Sequence, residues 1–197
     1  KFRFAFLYPV GVYVAVFCVS DDQSLWQGGL IMLAGMAIRV WANSYAIKMD
    51  RLTTSGPYAF VRNPLYVGTA LIVVGIVVLL RIYLLGALFL AIMAFVYRRT
   101  IKEEQRMLTE KFGDAFRDYM KNVPAMFPRL TPYPKGEKWP PSWQRLFESR
   151  EHKVVIWMVV LVIAFHLKEE HFVEKELLDA KMVALIVGAC LLGLVDL

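Results

Sequence analysis

Two polar patches stand out in an otherwise apolar stretch. Arg62-Asn63-Pro64-Leu65-Tyr66 ends a turn-rich segment, and Glu103-Glu104 lies some forty residues further on. Arginine can hold a carboxylate or phosphate, and the carboxylates suit an ammonium or sugar hydroxyls. Pro64 removes an amide and disfavours helical geometry at Asn63, so the backbone there is expected to be extended, with a helix starting at or after Pro64. Gly56-Pro57-Tyr58 just ahead reads as a turn. Taken alone, Arg62 and Tyr66 fit interfacial anchors as well as a ligand site. Glu103 and Glu104, beside Arg98, Arg99 and Lys102, fit a solvated charge cluster equally well.

What joins the two patches is the chain between them. Leu65–Leu80 is one apolar run, Arg81 interrupts it, and Ile82–Val96 is a second. As helices each spans roughly 23–24 Å, a short membrane crossing. Two crossings return the chain to the side it left, so both patches are expected at one face of the bilayer. Polar groups gathered at the mouth of such a hairpin usually make a site.

Composition sets the wider frame. With 58% hydrophobic residues and a mean hydropathy of +0.48, the chain is too apolar for a soluble domain of this length. Six apolar spans are expected: Phe4–Val19, Leu30–Ile47, Leu65–Leu80, Ile82–Val96, Val154–Leu167 and Val183–Val195. Backbone groups cannot stay unpaired in hydrocarbon, so these are helices, and the fold class is an all-α polytopic transmembrane bundle. The first span lacks a small-residue cleavage site and reads as a retained helix. Lys1 and Arg3 precede it, Asp21 and Asp22 follow it, and the stretch 98–153 holds 13 Lys/Arg against 8 Asp/Glu. The loop 168–181 is acidic again. These signs alternate with the spans and put the basic segments, and the site, in the cytoplasm. The net charge of +6 is thus an orientation signal rather than a nucleic-acid footprint.

No long polar linker divides residues 1–197, which read as one membrane domain. The polar region 97–152 starts with an amphipathic helix over Ile101–Met120, with a break at Gly113-Asp114. Six prolines between Pro124 and Pro141 then forbid continuous helix. Trp139, Trp143 and Phe147 among basic residues read as an interfacial segment. Cys18 and Cys190 fall inside apolar spans, where core packing accounts for them. His166-Leu-Lys-Glu-Glu-His171 sits on the opposite side from the proposed site, and no metal site is expected there.

The run GPYAFVRNPLYVG, the apolar hairpin, and then EEQRMLTEKFGDAFRDYMKNVPAMFP resemble the isoprenylcysteine carboxyl methyltransferase and phospholipid N-methyltransferase superfamily of integral membrane enzymes. The resemblance covers roughly residues 36–130 and includes Arg39-Val-Trp-Ala42. The last two spans, within 153–197, fall outside it. The family pattern is Arg-His-Pro-x-Tyr, and this chain has Asn63 where histidine is usual. Asparagine keeps a donor and an acceptor but cannot titrate. A hydrogen-bonding role survives, while a proton-shuttling one does not.

The resemblance implies S-adenosylmethionine as cofactor, held on the cytoplasmic face under a covering helical segment. Carried over residue by residue, it implies cofactor contacts from Gly56, Pro57, Tyr58, Arg62, Asn63, Pro64, Tyr66, Glu103, Glu104 and Tyr119. Arg62, Arg99 and Glu104 are the catalytic candidates. The implied acceptor is a lipid or prenylated molecule entering from the bilayer. No histidine lies in the matched region, which favours a carboxylate acceptor, since that group needs no base. A phospholipid amine or a thiol stays open. No glycine-rich loop after a strand is present, so a Rossmann-type cofactor site is excluded. Two other readings compete: an NADPH-dependent sterol-reductase type, which shares the Gly-Pro-Tyr and Arg-x-Pro-x-Tyr pattern, and a non-enzymatic membrane scaffold or transporter.

Overall fold

A computed structural model describes residues 21–47, 51–149 and 153–165, apart from 157 and 164. Among the described residues the chain is helical, with no strand. Helix α1 spans Asp22–Tyr45, α2 Pro64–Leu79, α3 Tyr83–Asn122 and the short α4 Trp143–Glu148. A further apolar helix, α5, covers Lys153–Ile163. The expected spans Phe4–Val19 and Val183–Val195 lie outside the described residues, as do Cys18, Cys190 and the His166–His171 segment. The span Val154–Leu167 is described in part, as α5.

Two helices, α1 and α3, are long and apolar enough to cross a membrane, and α2 is a shorter apolar helix. Helix α1 begins eight residues before the expected Leu30. The reason is a capping box: the Asp21 carboxylate accepts from the Ser24 amide at 2.8 Å, and Ser24 Oγ accepts from the Asp21 amide at 3.0 Å. Arg81, left-handed at φ 57°, turns the chain between α2 and α3. Its guanidinium donates to Asp21 at 2.5 Å, and Ser24 Oγ donates to the Leu79 carbonyl at 3.2 Å. This end of the hairpin is therefore tied to the start of α1. Leu25, Met32, Leu79, Leu80 and Phe165 form a buried apolar cluster there.

Helices α1 and α2 pack backbone to backbone. A Cβ on Gly35 would lie 2.6 Å from the Gly68 carbonyl oxygen, and one on Gly28 would lie 2.6 Å from that of Gly75. Backbone cannot swing aside, so close approach of small residues sets the interhelical distance. Gly35→Ala should separate the helices and cost about 1–3 kcal/mol, an overpacking penalty. Thermal unfolding in detergent checks this, and an unchanged midpoint would show that the contact is loose.

Helix α3 is expected from sequence as a crossing followed by a separate amphipathic helix. It is instead one element of 40 residues, about 60 Å long, because no proline or glycine falls between Arg98 and Phe112. Its first half carries an exposed apolar face, with Leu84 90% accessible and Leu88, Phe89, Ile92 and Phe95 also exposed. That suits lipid, not water. At Gly113 the backbone takes φ 55°, ψ −127°, a region essentially restricted to glycine, and the axis kinks at the expected break. The last turns then fold back, so that Phe116, Tyr119 and Val123 join Ala59 and Tyr133 in a second buried cluster.

Candidate active site

The site lies where α2, the middle of α3 and the turn before α2 converge. A single 3-10 turn covers Gly56–Ala59. The chain then reaches Asn63 at φ −124°, ψ 62°, and α2 begins at Pro64. A cavity of about 610 Å³ opens beside these elements. Its lining includes Tyr58, Arg62, Asn63, Pro64 and Tyr66 from the first patch, Glu104 from the second, and Tyr119. The two sequence-distant patches meet directly: the Tyr66 hydroxyl donates to Glu104 Oε1 at 2.8 Å. Tyr66 also packs edge-on against Tyr97, with ring centroids 4.6 Å apart.

Four of the expected residues lie off the cavity. Gly56, at φ 58°, lies beneath the Tyr45 ring, where a Cβ would come within 2.6 Å of ring atoms. Pro57 is fully buried. Both shape the turn. Glu103 faces solvent and pairs with Arg106 at 2.8 Å. Arg99 lies over the Phe95 ring at 4.6 Å. Arg39, Thr69, Tyr97 and Gln105 also line the cavity. Arg39 donates to Thr69 Oγ1 at 2.5 Å, bridging α1 and α2. Tyr97 precedes Glu104 by seven residues and Leu108 follows it by four, a one-face spacing that the sequence does display.

Electrostatics mark Arg62. Its Nε and Nη1 are buried with no hydrogen-bond partner, and burial lowers its affinity for a proton. An arginine stays charged in a protein, so these two donors are costly unless an anion meets them. Burial, followed by the Glu104 charge, raises the Tyr58 hydroxyl above its ordinary value, with Arg39 opposing. Tyr119, likewise raised by burial, donates its hydroxyl to the Tyr58 carbonyl at 2.7 Å. Both phenols are therefore neutral near pH 7.

The proline-rich stretch after α3 is a strap across this site, a role its composition does not reveal. The Pro124 carbonyl accepts from the Arg62 amide at 2.9 Å, and the Phe60 and Ala59 carbonyls accept from Arg129 and Tyr133 amides at 3.0 and 2.9 Å. Trp139, read from sequence as part of an interfacial segment, donates its indole N–H to the Tyr45 carbonyl at 3.2 Å. Ser55 Oγ donates to the Glu137 carbonyl. Asn63 belongs to this strap as well as to the cavity wall: its Nδ2 donates to the Ala125 carbonyl at 2.9 Å. Asn63→Ala should thus lose one neutral hydrogen bond, about 0.5–1.5 kcal/mol of stability. Asn63→His, which keeps a donor of similar reach, should recover most of it. Thermal melts of the two variants decide this: no loss in Asn63→Ala would mean that the Ala125 bond contributes nothing, and equal losses that histidine does not replace it.

Arg62, Tyr97 and Gln105 also line a second cavity, of about 870 Å³, between α2, α3 and residues 125–127. Its other walls are mostly apolar, including Ala70, Leu90, Met93 and Phe95, with Arg98 and Lys102 beside them. Arg62 therefore stands at the junction of a cavity that carries several polar groups and a greasier one.

The sequence profile of the phospholipid methyltransferase family matches residues 30–115. The chain is 32% identical over 155 aligned positions to the cobalt-zinc-cadmium resistance protein CzcN of Cupriavidus metallidurans, covering 73% of this chain and 69% of that protein. It is 35% identical over 138 positions to the nickel-cobalt-cadmium resistance protein NccN of Alcaligenes xylosoxydans xylosoxydans, covering 64% of each. Similarity to the protein-S-isoprenylcysteine O-methyltransferase of Schizosaccharomyces pombe is 35% over 130 positions, covering 66% of this chain and 55% of the yeast one. No solved structure matches. The matched profile contains α2, most of α3 and both polar patches, and on these similarities the chain belongs to the superfamily of isoprenylcysteine and phospholipid methyltransferases.

Proposed function

We propose that this protein is an S-adenosylmethionine-dependent methyltransferase acting on a lipidic or otherwise membrane-associated acceptor. The single observation that carries the reading is the junction at Arg62: two buried guanidinium nitrogens without a hydrogen-bond partner, on a side chain shared by a cofactor-sized cavity that carries charged and hydroxyl groups and a more apolar one. The first cavity lies within the usual range of small-ligand sites, about 300–1,000 Å³. Its groups fit the cofactor. Glu104, oriented by Tyr66, suits an ammonium or ribose hydroxyls, and Phe112 and Phe116 in the lining offer faces to adenine. Tyr58, Asn63, Pro64 and Tyr119 complete the wall, and Gly56 and Pro57 set the turn behind it. Glu103 and Arg99 fit supporting surface roles better than contact. When bound, S-adenosylmethionine supplies an electrophilic methyl group on a sulfonium.

The remaining work falls to this chain. Arg62 holds an anionic oxygen of the acceptor at the junction, which fixes orientation. The strap keeps water out of the same region. A carboxylate acceptor is favoured because it is nucleophilic without losing a proton. A prenylated cysteine or another lipidic acid fits that description, and an amine or thiol would need a base. The acceptor enters from the bilayer by the second cavity. In the full topology we propose, residues 1–197 form one domain of about six spans, with the core over 36–130 and the site facing the cytoplasm. Incubating the purified protein with methyl-labelled cofactor and a total lipid and small-acid extract, followed by mass spectrometry, tests the reading. Label in a lipidic acid is expected, and NADPH-dependent reduction without label would overturn it.

A second reading follows from two relatives named as heavy-metal resistance proteins: the same methyl transfer serves tolerance to such ions. Expression in a metal-sensitive bacterial strain should then raise tolerance to cobalt, zinc or cadmium, and Glu104→Ala should abolish the gain. Equal tolerance with and without the protein would remove this reading.

A further inference from the structure

The strap leaves two large apolar side chains fully outside the protein. Phe127 is 85% and Leu130 99% accessible. Neither stands on a loose tip. The segment is pinned on both sides of Phe127, by the Pro124 and Ala125 carbonyls on Arg62 and Asn63 and by the Arg129 amide on the Phe60 carbonyl. The Arg129 guanidinium also donates to the Asn122 carbonyl at 2.8 Å. These anchors hold residues 126–130 beside residues 60–63, the segment immediately before the first turn of α2. Met126 and Phe127 border the second cavity together with Phe95 of α3, and Phe95 belongs to the exposed apolar face of that helix. The apolar surface of the crossing helix thus continues onto the strap. Arg98 and Lys102 line the same opening, and Arg129 lies within the segment itself.

Exposed aromatic and aliphatic side chains beside cations, continuous with a crossing helix, match the headgroup–acyl boundary of a bilayer. Cations at that depth meet the negative surface of the cytoplasmic leaflet. We infer that residues 126–130 are a membrane-surface anchor. Phe127 and Leu130 sit in the cytoplasmic leaflet, and Arg98, Lys102 and Arg129 lie against anionic headgroups. The inference rests on the orientation proposed above, and it places the mouth of the second cavity inside the leaflet. An acceptor would then be drawn from lipid rather than from water.

Nitroxide depth measurement tests this on the full chain in lipid nanodiscs. Phe127→Cys, Leu130→Cys and, as a solvent reference, Asp114→Cys are each spin-labelled in a background carrying Cys18→Ser and Cys190→Ser. Asp114 has a 94% accessible side chain on the far cytoplasmic segment. Labels at 127 and 130 are expected to collide more with oxygen than with a polar nickel chelate, and the label at 114 the reverse. Chelate-dominated relaxation at 127 and 130 would overturn the anchor. Labels at 127 and 130 shielded from both reagents would mean that a protein covers the patch, which also overturns it. Depth that does not change when anionic lipid is replaced by zwitterionic lipid would overturn the role of the three cations. Calorimetry with S-adenosylmethionine on the same samples reports separately on the methyltransferase reading, so failure of one is not mistaken for failure of the other.

Discussion

Glu104→Ala should weaken S-adenosylmethionine binding roughly tenfold to a hundredfold, while Glu103→Ala should leave it within a factor of about two. The two residues are neighbours in sequence, yet the structure separates them. Glu104 lines the cavity and is held by the Tyr66 hydroxyl, whereas Glu103 pairs with Arg106 in solvent. A hydrogen bond to a charged group contributes about 1.5–3 kcal/mol, which is the fold-change given. A solvent-exposed ion pair contributes under about 1 kcal/mol. Tyr66→Phe should show an intermediate loss, since it frees the carboxylate to rotate without removing it. Titration calorimetry on the three variants, with thermal melts to check folding, separates these outcomes. Equal losses at 103 and 104 would mean that general charge, not the cavity, attracts the cofactor.

Arg62→Met should lower methyl transfer about a hundredfold or more while changing cofactor affinity far less. The loss comes from orientation: without the guanidinium the acceptor oxygen is no longer held in line with the methyl group, and misplacing a reacting group commonly costs about a hundredfold in turnover. Methionine retains much of the side-chain bulk, so the junction should stay filled and the backbone bond from the Arg62 amide to Pro124 is untouched. Arg62→Lys should rescue only in part, because a single ammonium cannot reproduce several donors in the fixed plane of a guanidinium. Labelled-methyl incorporation into membrane extract, set beside calorimetry, gives the split. A loss confined to cofactor affinity would move Arg62 from the acceptor side to the cofactor side.

Much of this site is legible in the residues themselves. Asn63-Pro64 announces the start of α2, and the two apolar runs around Arg81 announce a hairpin. From these alone it follows that the Arg-x-Pro-x-Tyr segment and the Glu103-Glu104 pair share one face. What pattern reading does not separate is Glu103 from Glu104. Adjacent helical residues point about 100° apart, and only the face marked by Tyr97, buried Ile101 and Leu108 says which one turns inward. The early start of α1 is written in Asp21 and Ser24, but a capping box carries no hydropathy signal and an apolar count passes over it. The strap is hidden for a different reason. Its partners are mostly carbonyls and amides of Ala59, Phe60, Pro124 and Ala125, groups that every residue type shares.

The central claim is that the cavity between the Arg-Asn-Pro-Leu-Tyr segment and Glu104 holds S-adenosylmethionine. Titration calorimetry on the purified protein, with S-adenosylhomocysteine as competitor and NADPH as control, measures it most directly. Micromolar binding or tighter is predicted, roughly −8 kcal/mol, abolished by the competitor and absent with NADPH. No heat with S-adenosylmethionine, together with saturable binding of NADPH, would contradict the account.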